Sequence, residues 1–524
     1  INIETLDPFG FSVEDTTKEP SNSFEKFGNN VHVKSKKWTI RNQILFKKNQ
    51  PLDSLLVKES ERLIRSQRYV RSVIIQAVPV KNSKDSVDVS IRVLDSWSLI
   101  PNGSISSSRM NLEITERNFA GLGHEFENNI GTQFSPKKNS YNGKYSYNNI
   151  RNTFINASLV FNTSLNNDIT KSALVERTFY SPLTKFAGGV FYESRKFTDS
   201  LPTNLPDFES LIFENETKSL WFGHASKLFS GKSIDSRSTS FVTTIGYKNL
   251  NYIRNASLSL DPSQFWSDEE QYLVSFGIST RKFIQDKFIF NYDIVEDVPY
   301  GKVFAITTGF QHKNSEKRNY YGGRFSYGHY YNFGYLSTNI ALGSFFKDNK
   351  SEETTIKFEA NYFTNLLSIG RWKLRHFIKP SLVIGVNRAN SSKDRISLTD
   401  LNGFDGFTNP LFNGSRKLTL MYQTQTYVPG AWKGFHFSPF INTALGLLGD
   451  SQDTFLNNKL YSKFTLGVLI SNDYLVFNRF QISFSFYPTI PYEGTNLFRT
   501  NTVKNDDFNI PEYSIGEPTI INFK

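Results

Sequence analysis

Apolar and polar residues alternate in segment after segment from about residue 97 to the C-terminus. Phe480, Ile482, Phe484 and Phe486 alternate with Gln481, Ser483 and Ser485, and Ile155, Ala157, Leu159 and Phe161 with Asn156, Ser158, Val160 and Asn162. Phe464, Leu466, Val468 and Ile470 do the same against Thr465, Gly467 and Leu469. Successive side chains of a strand point to opposite faces, so each segment offers one apolar face and one carrying Asn, Ser, Thr, Gln and Gly. A soluble sandwich alternates too, but its strands are shorter and its inner faces are rich in Val, Ile and Leu. Here 48 Phe and 25 Tyr dominate, as expected where one face meets lipid and the other a wet lumen.

Aromatic pairs gather at the ends of these runs, at Tyr320-Tyr321, Tyr330-Tyr331, Phe345-Phe346 and Tyr362-Phe363, where the interfacial girdles of a membrane barrel lie. No stretch of about 18 apolar residues exists, so no spanning helix is expected. The alternation predicts twenty strands, near 97–106, 110–119, 124–134, 141–150, 153–165, 170–179, 184–195, 216–228, 237–251, 270–292, 301–313, 318–330, 333–346, 353–365, 371–387, 415–428, 434–448, 458–470, 474–487 and 512–524. Tight connections at 120–123 and 181–182 alternate with long ones at 196–215, 252–269 and 388–414, as periplasmic turns alternate with outer loops. The fold class expected is a membrane all-β protein, an antiparallel transmembrane β-barrel of 16 to 20 strands and best counted as 20. Its last segment, 512–524, is expected to close the barrel on the first.

The first hundred residues have a different texture. Residues 1–30, rich in Asp, Glu, Thr, Ser and Lys with Pro8 and Pro20, read as an extended arm with Leu6, Phe9, Phe11, Phe24 and Phe27 available as anchors. Trp38 to Phe46 has strand character; Leu55, Leu56, Leu63 and Ile64, spaced among Lys58, Glu59, Glu61, Arg62 and Arg65, have helical spacing. Strands follow at 69–78 and 86–93, which makes 31–96 a small α+β domain. Ile1, with no initiator Met and no signal peptide before it, reads as a start at or inside a mature chain.

Composition removes several functions. Cysteine is absent, so thiolate catalysis and Cys-ligated metals are excluded. The net charge of +11 is scattered, with no basic cluster interleaved with aromatics, and no nucleic-acid partner is expected. There is no G-x-S-x-G or H-E-x-x-H, and the seven His are isolated. The acid pairs Glu296-Asp297 and Asp506-Asp507 read as solvated turns. We expect no enzyme, no cofactor and no metal.

The order of the motifs carries a resemblance. Residues 31–97 include Trp38-Thr39-Ile40-Arg41, Glu59-Ser60-Glu61-Arg62-Leu63, Tyr69-Val70-Arg71 and Val87-Asp88-Val89. Next comes the tight turn Asn118-Phe119-Ala120-Gly121-Leu122-Gly123-His124, and far downstream Phe404-Asp405-Gly406-Phe407 precedes Phe412-Asn413-Gly414-Ser415-Arg416. In this order the chain resembles the bacterial outer-membrane assembly superfamily that includes BamA and TamA. The resemblance implies one POTRA-like periplasmic domain at 31–96, a barrel at 97–524, a first periplasmic turn at Phe119, Gly121 and Gly123, and an inward-folded loop 388–414. That loop carries Phe404, Asp405, Gly406 and Phe407 where the family has V-R-G-F. Asp405 reverses the family's arginine charge, so the ionic pairing is not carried over and the loop is expected to pack through Phe404 and Phe407. The family's usual barrel has sixteen strands.

A mechanism follows from the resemblance: a short or weakly paired seam between first and last strand, to which a client strand adds by β-augmentation. Pro101, Gly103 and Ser104 weaken the first strand, and Gly516 and Pro518, with Ile521 and Phe523 beyond them, belong to the expected last one. The partners implied are outer-membrane lipids, unfolded barrel or exported clients, and periplasmic or lipoprotein subunits. The expected location is the bacterial outer membrane, with the N-terminal domain in the periplasm. A structural scaffold barrel or a dedicated export pore is the alternative.

Overall fold

A computed structural model describes residues 1–80, 85–202, 208–399, 412–432, 434–450, 456, 458–472, 480–489, 497–501 and 510–524. Its N-terminal part is a small α+β unit with strand β1 (Asn2–Leu6), helices α1 (Ser23–Val31), α2 (Lys37–Arg41) and α3 (Ser54–Arg65), then strands β2 (Val70–Pro79) and β3 (Val87–Asp95). The sheet order is β1-β3-β2, with β1 parallel to β3 and β2 antiparallel to it. Ile40, Ile64, Ile91 and Val93 are sealed in its core with Ile3 and Val73. Each such side chain contributes roughly 1.5–3 kcal/mol of apolar burial.

Two expectations for this region are corrected, and one helix is additional to them. Residues 1–30 are not a free arm: β1 adds a third strand to the sheet, and Leu6 and Phe9 are buried. Trp38 to Phe46 forms no strand: Lys37–Arg41 is the short helix α2, which buries Thr39 and Ile40, and the chain beyond it buries Ile44 and Phe46 without strand pairing. Helix α1 has no sequence-level expectation at all. It is capped by Asn22, whose side chain accepts from the Glu25 amide, while Phe24, Phe27 and Val31 remain exposed.

Beyond the unit, twenty antiparallel strands join their sequence neighbours from Leu99–Ile105 to Leu497–Asn501, and the last lies beside the first to close a barrel. A three-residue strand, Leu367–Ile369, is added to one hairpin. The wall is inverted relative to a soluble core. Leu220, Phe304 and Leu466 face outward and exposed, whereas Ser275, Thr355, Gln423 and Ser483 face inward and buried. An apolar outer band over a polar interior is what hydrocarbon outside and water within select. No described helix is long and apolar enough to cross a membrane.

Nineteen of the expected strands coincide with observed ones, but within the expected loop 196–215 the described residues 196–202 and 208–215 are strand. Strand Phe186–Pro202 continues into it and pairs with Phe208–Lys227, Lys196 opposite Glu214, while Phe197 and Phe213 pack with Trp266. The other exception is 512–524, taken up next.

Candidate functional site

The wall closes between Leu497–Asn501 and Leu99–Ile105. Strand Leu99–Ile105 has 7 residues, while Phe208–Lys227 has 20 and Glu269–Lys287 and Val295–Lys313 have 19 each. Pro101, Gly103 and Ser104 lie in this short first strand, paired with Ile114, Leu112 and Asn111 on the neighbouring strand. Every residue from 101 to 110 is exposed, so packing adds little to that ladder.

The expected seam partners Gly516, Pro518, Ile521 and Phe523 are elsewhere. Residues 510–524 form no strand; they run extended through the lumen, and 497–501 takes the final place in the wall. At the end of the barrel that bears the small unit, the Tyr513 hydroxyl is 2.9 Å from that of Tyr335, and Ser279 Oγ donates to the Tyr513 carbonyl at 2.7 Å. Arg324 donates to the Ser514 carbonyl. Ile515 packs with Trp221, Val303 and Ala305, and Ile520 against Leu273, Tyr320 and Phe345. Higher up, the Ile521 amide donates to Tyr320 Oη at 2.7 Å. At the opposite rim Arg388 lies 4.2 Å over the Phe523 ring, and Lys524 reaches the Lys393 carbonyl. A cavity of about 360 Å³ flanks residues 517–520. The physical cause of the misassignment is simple. Alternating Tyr513, Ile515, Ile521 and Phe523 suits any extended segment between a polar and an apolar environment, and period alone does not distinguish a wall strand from a peptide bound inside the wall.

The lumen walls carry residues that sequence reasoning passed over. Gly246, Gly328, Gly343 and Gly385 each stand where a side chain would strike the tail: a Cβ at Gly328 would fall 1.8 Å from Tyr513 Oη, and one at Gly385 2.6 Å from the Phe523 ring. A glycine inside a strand pattern marks close approach of another segment, and that signal was present in the sequence.

At the mouth, the turn expected from the sequence meets the small unit. Gly121 has φ +74°, and its carbonyl accepts from the Lys36 amide at 3.0 Å and from Thr39 Oγ1 at 2.9 Å. A Cβ at Gly121 would lie 2.4 Å from the Lys34 carbonyl oxygen, and one at Gly123 3.2 Å from the Tyr69 ring. Phe119 points away, exposed, and packs edge-on against Phe126. Helix α3 spans further turns: Arg62 donates to the Tyr180 carbonyl at 2.8 Å, Arg65 pairs with Asp297 at 2.8 Å, and Asp53, the α3 N-cap, pairs with Arg237 at 2.6 Å. The hydrogen bond from Arg237 holds the Asp53 carboxyl below its usual range. Asp297, expected as a solvated turn acid, is thus half of an ion pair.

Phe404, Asp405, Gly406 and Phe407 lie outside the described residues. The base of their loop is described: Ile396 and Gly414 exchange backbone hydrogen bonds at 2.9 and 2.8 Å, and Ile396, Leu398 and Phe412 are buried in the cluster that holds Phe523. Among the described residues no group of three or more His, Cys, Asp or Glu is arranged to hold a metal ion.

The chain is a divergent membrane β-barrel. Its course is similar to that of BamA from Haemophilus ducreyi lacking POTRA domains 1–3, at 11% identity, over 89% of this chain and 80% of that one, with a TM-score of 0.35. It is also similar to CdiB from Acinetobacter baumannii, at 9% identity over 89% and 70% of the two chains with a TM-score of 0.44. For CdiB from Escherichia coli the values are 11%, 89%, 74% and 0.46. These similarities are low, and the fold stands on the strand pairing itself. No family model and no curated protein matches the sequence.

Proposed function

We propose that this protein is an outer-membrane assembly factor that receives client β-strands at the closure between strands Leu99–Ile105 and Leu497–Asn501. The observation that supports it is the first strand of the wall, 7 residues long against 19 and 20 across the barrel, with every residue from 101 to 110 exposed. A short, exposed first strand makes that junction the place where the wall opens at least cost, presenting edges to which an incoming strand adds through its backbone. The small unit serves as a POTRA-like periplasmic module that meets clients beside the mouth, and the work is mechanical rather than chemical. Export through the lumen is the second reading, favoured by one observation: the lumen already holds an extended polypeptide, residues 513–523.

The chain has no cysteine, so introduced pairs report cleanly. Cysteine pairs scanned between 99–105 and 497–501 should, once oxidised, lower assembly of a model barrel into liposomes by about ten-fold, a loss of roughly 1.4 kcal/mol in the barrier-lowering effect. A control lock at Ser275 and Thr307, whose hydroxyls are 2.6 Å apart in the long-strand wall, should leave assembly unchanged. Full assembly with the closure locked contradicts the proposal. Depletion that removes particular exported proteins, with other barrels intact, selects the export reading.

A further inference from the structure

The C-terminal tail is held differently from every wall strand. Its main chain is met by wall side chains, through Ser279, Arg324 and Tyr320, and not by a strand ladder. Its apolar side chains alternate into recesses: Tyr513, Ile515, Pro518 and Phe523 are buried, while Glu512, Gly516, Glu517, Thr519, Asn522 and Lys524 are exposed. The recesses are floored by glycines on four different strands. A Cβ at Gly246 would stand 2.8 Å from Pro518 Cγ, and one at Gly343 3.1 Å from Ile521 Cβ, in addition to the clashes at Gly328 and Gly385. Residues 513 to 523 span ten extended steps, about 33–36 Å at full reach. That is enough to cross the membrane-facing height of the wall, since a hydrocarbon core is about 30 Å thick.

Backbone contacts from side chains, a row of glycine-floored recesses and a matching length are the elements of a site for an extended peptide. Because none of the tail's described residues belongs to the wall ladder, the ladder survives without it, and the polar inner face is suited to water once exposed. We propose that the barrel lumen contains a binding groove for an extended polypeptide, that the chain's own C-terminus is its resident occupant, and that a second extended peptide with the same alternation displaces it. This goes beyond the assembly proposal and does not depend on whether the wall opens at its closure.

The test uses the full chain in liposomes, carrying Gly343→Cys and Ile521→Cys. The Cβ separation of 3.1 Å is a few tenths of an ångström below disulfide range, so a small shift of the tail and of the Tyr320 hydroxyl admits the bond, and no other cysteine competes. Oxidation should cross-link most of the protein, read as a shift in gel mobility. A tethered occupant has an effective concentration in the millimolar range, so synthetic peptide 510–524 supplied at several millimolar should lower the yield by about half or more. A peptide with serine in place of Tyr513 and Phe523 should not. A second variant covers failure of the first to fold: Gly516→Cys, where a side chain meets nothing within 4 Å, labelled with a spin probe. Its spectrum should report an ordered main chain at rest and become markedly more mobile when the native peptide is added. Absence of the cross-link, or a resident tail that the native peptide leaves unmoved in both variants, overturns the proposal. Neither readout requires assembly activity, so failure here is distinct from failure of the closure mechanism.

Discussion

The long-strand wall and the closure are made of the same kind of ladder, yet they hold together differently. Around Glu269–Lys287 and Val295–Lys313 each strand pairs over its full 19 residues, and its inner face packs on the tail. At the closure the first strand has 7 residues, and positions 101–110 are all exposed. Local stability scales with the number of paired and buried groups, so one closed barrel contains a rigid arc and a yielding one. A wall that opens must open in the second.

The sharpest way to break this contrast is to weaken the rigid arc deliberately. Arg375 is 1% exposed and donates to the Phe288, Thr364 and Lys287 carbonyls and to Asp286. Removing one member of such a buried network costs about 3–5 kcal/mol, so Arg375→Ala should shift the urea midpoint of the liposome-embedded protein strongly downward. Asn102→Ala in the closure should move it by no more than about 0.5 kcal/mol equivalent. Equal effects would erase the distinction between the two arcs.

A smaller effect is expected where the small unit anchors to the barrel. Gly121→Ala places a non-glycine residue at φ +74° and a methyl group against the Lys34 carbonyl, at a cost of about 1–3 kcal/mol. Hydrogen exchange of residues 34–42 should rise while the barrel strands are unaffected. Unchanged exchange there would mean that the turn does not hold the unit.

The smallest effect concerns the Asp53–Arg237 pair, whose side chains are 30% and 25% exposed. Such a pair contributes about 0.2–1 kcal/mol. The Asp53 carboxyl is held below its ordinary 3.8 by the Arg237 hydrogen bond. Its contribution is therefore complete above that ordinary value and is lost as pH falls through the lower folded value. A double-mutant cycle with Asp53→Asn and Arg237→Gln should give a coupling that is constant from pH 5 to 7 and vanishes well below pH 4. A coupling that persists in that acid range would remove Asp53 as its source.

Most of the barrel was legible because lipid outside and water inside impose a period of two on nearly every wall strand. The same rule misplaced 512–524, since an extended peptide bound between lumen walls obeys it as well. It overlooked the strand at Leu497–Asn501, and left 196–202 as loop although Phe197 and Leu201 are buried there. The glycines under the tail were visible as interruptions of strand patterns, but only the placement of Tyr513, Ile521 and Phe523 gives them a purpose. In the small unit, β1 is five residues long, and α1 leaves its apolar Phe24 and Phe27 outward, so neither showed the usual inward signature.

Amide hydrogen exchange of the intact protein in lipid bilayers, resolved to peptides, tests the central claim most directly. The account predicts that 99–105 and 497–501 exchange at least about 100-fold faster than 269–287 and 295–313, because the closure opens locally without global unfolding. Equal protection of the two arcs, with the closure as slow as the long-strand wall, would contradict it.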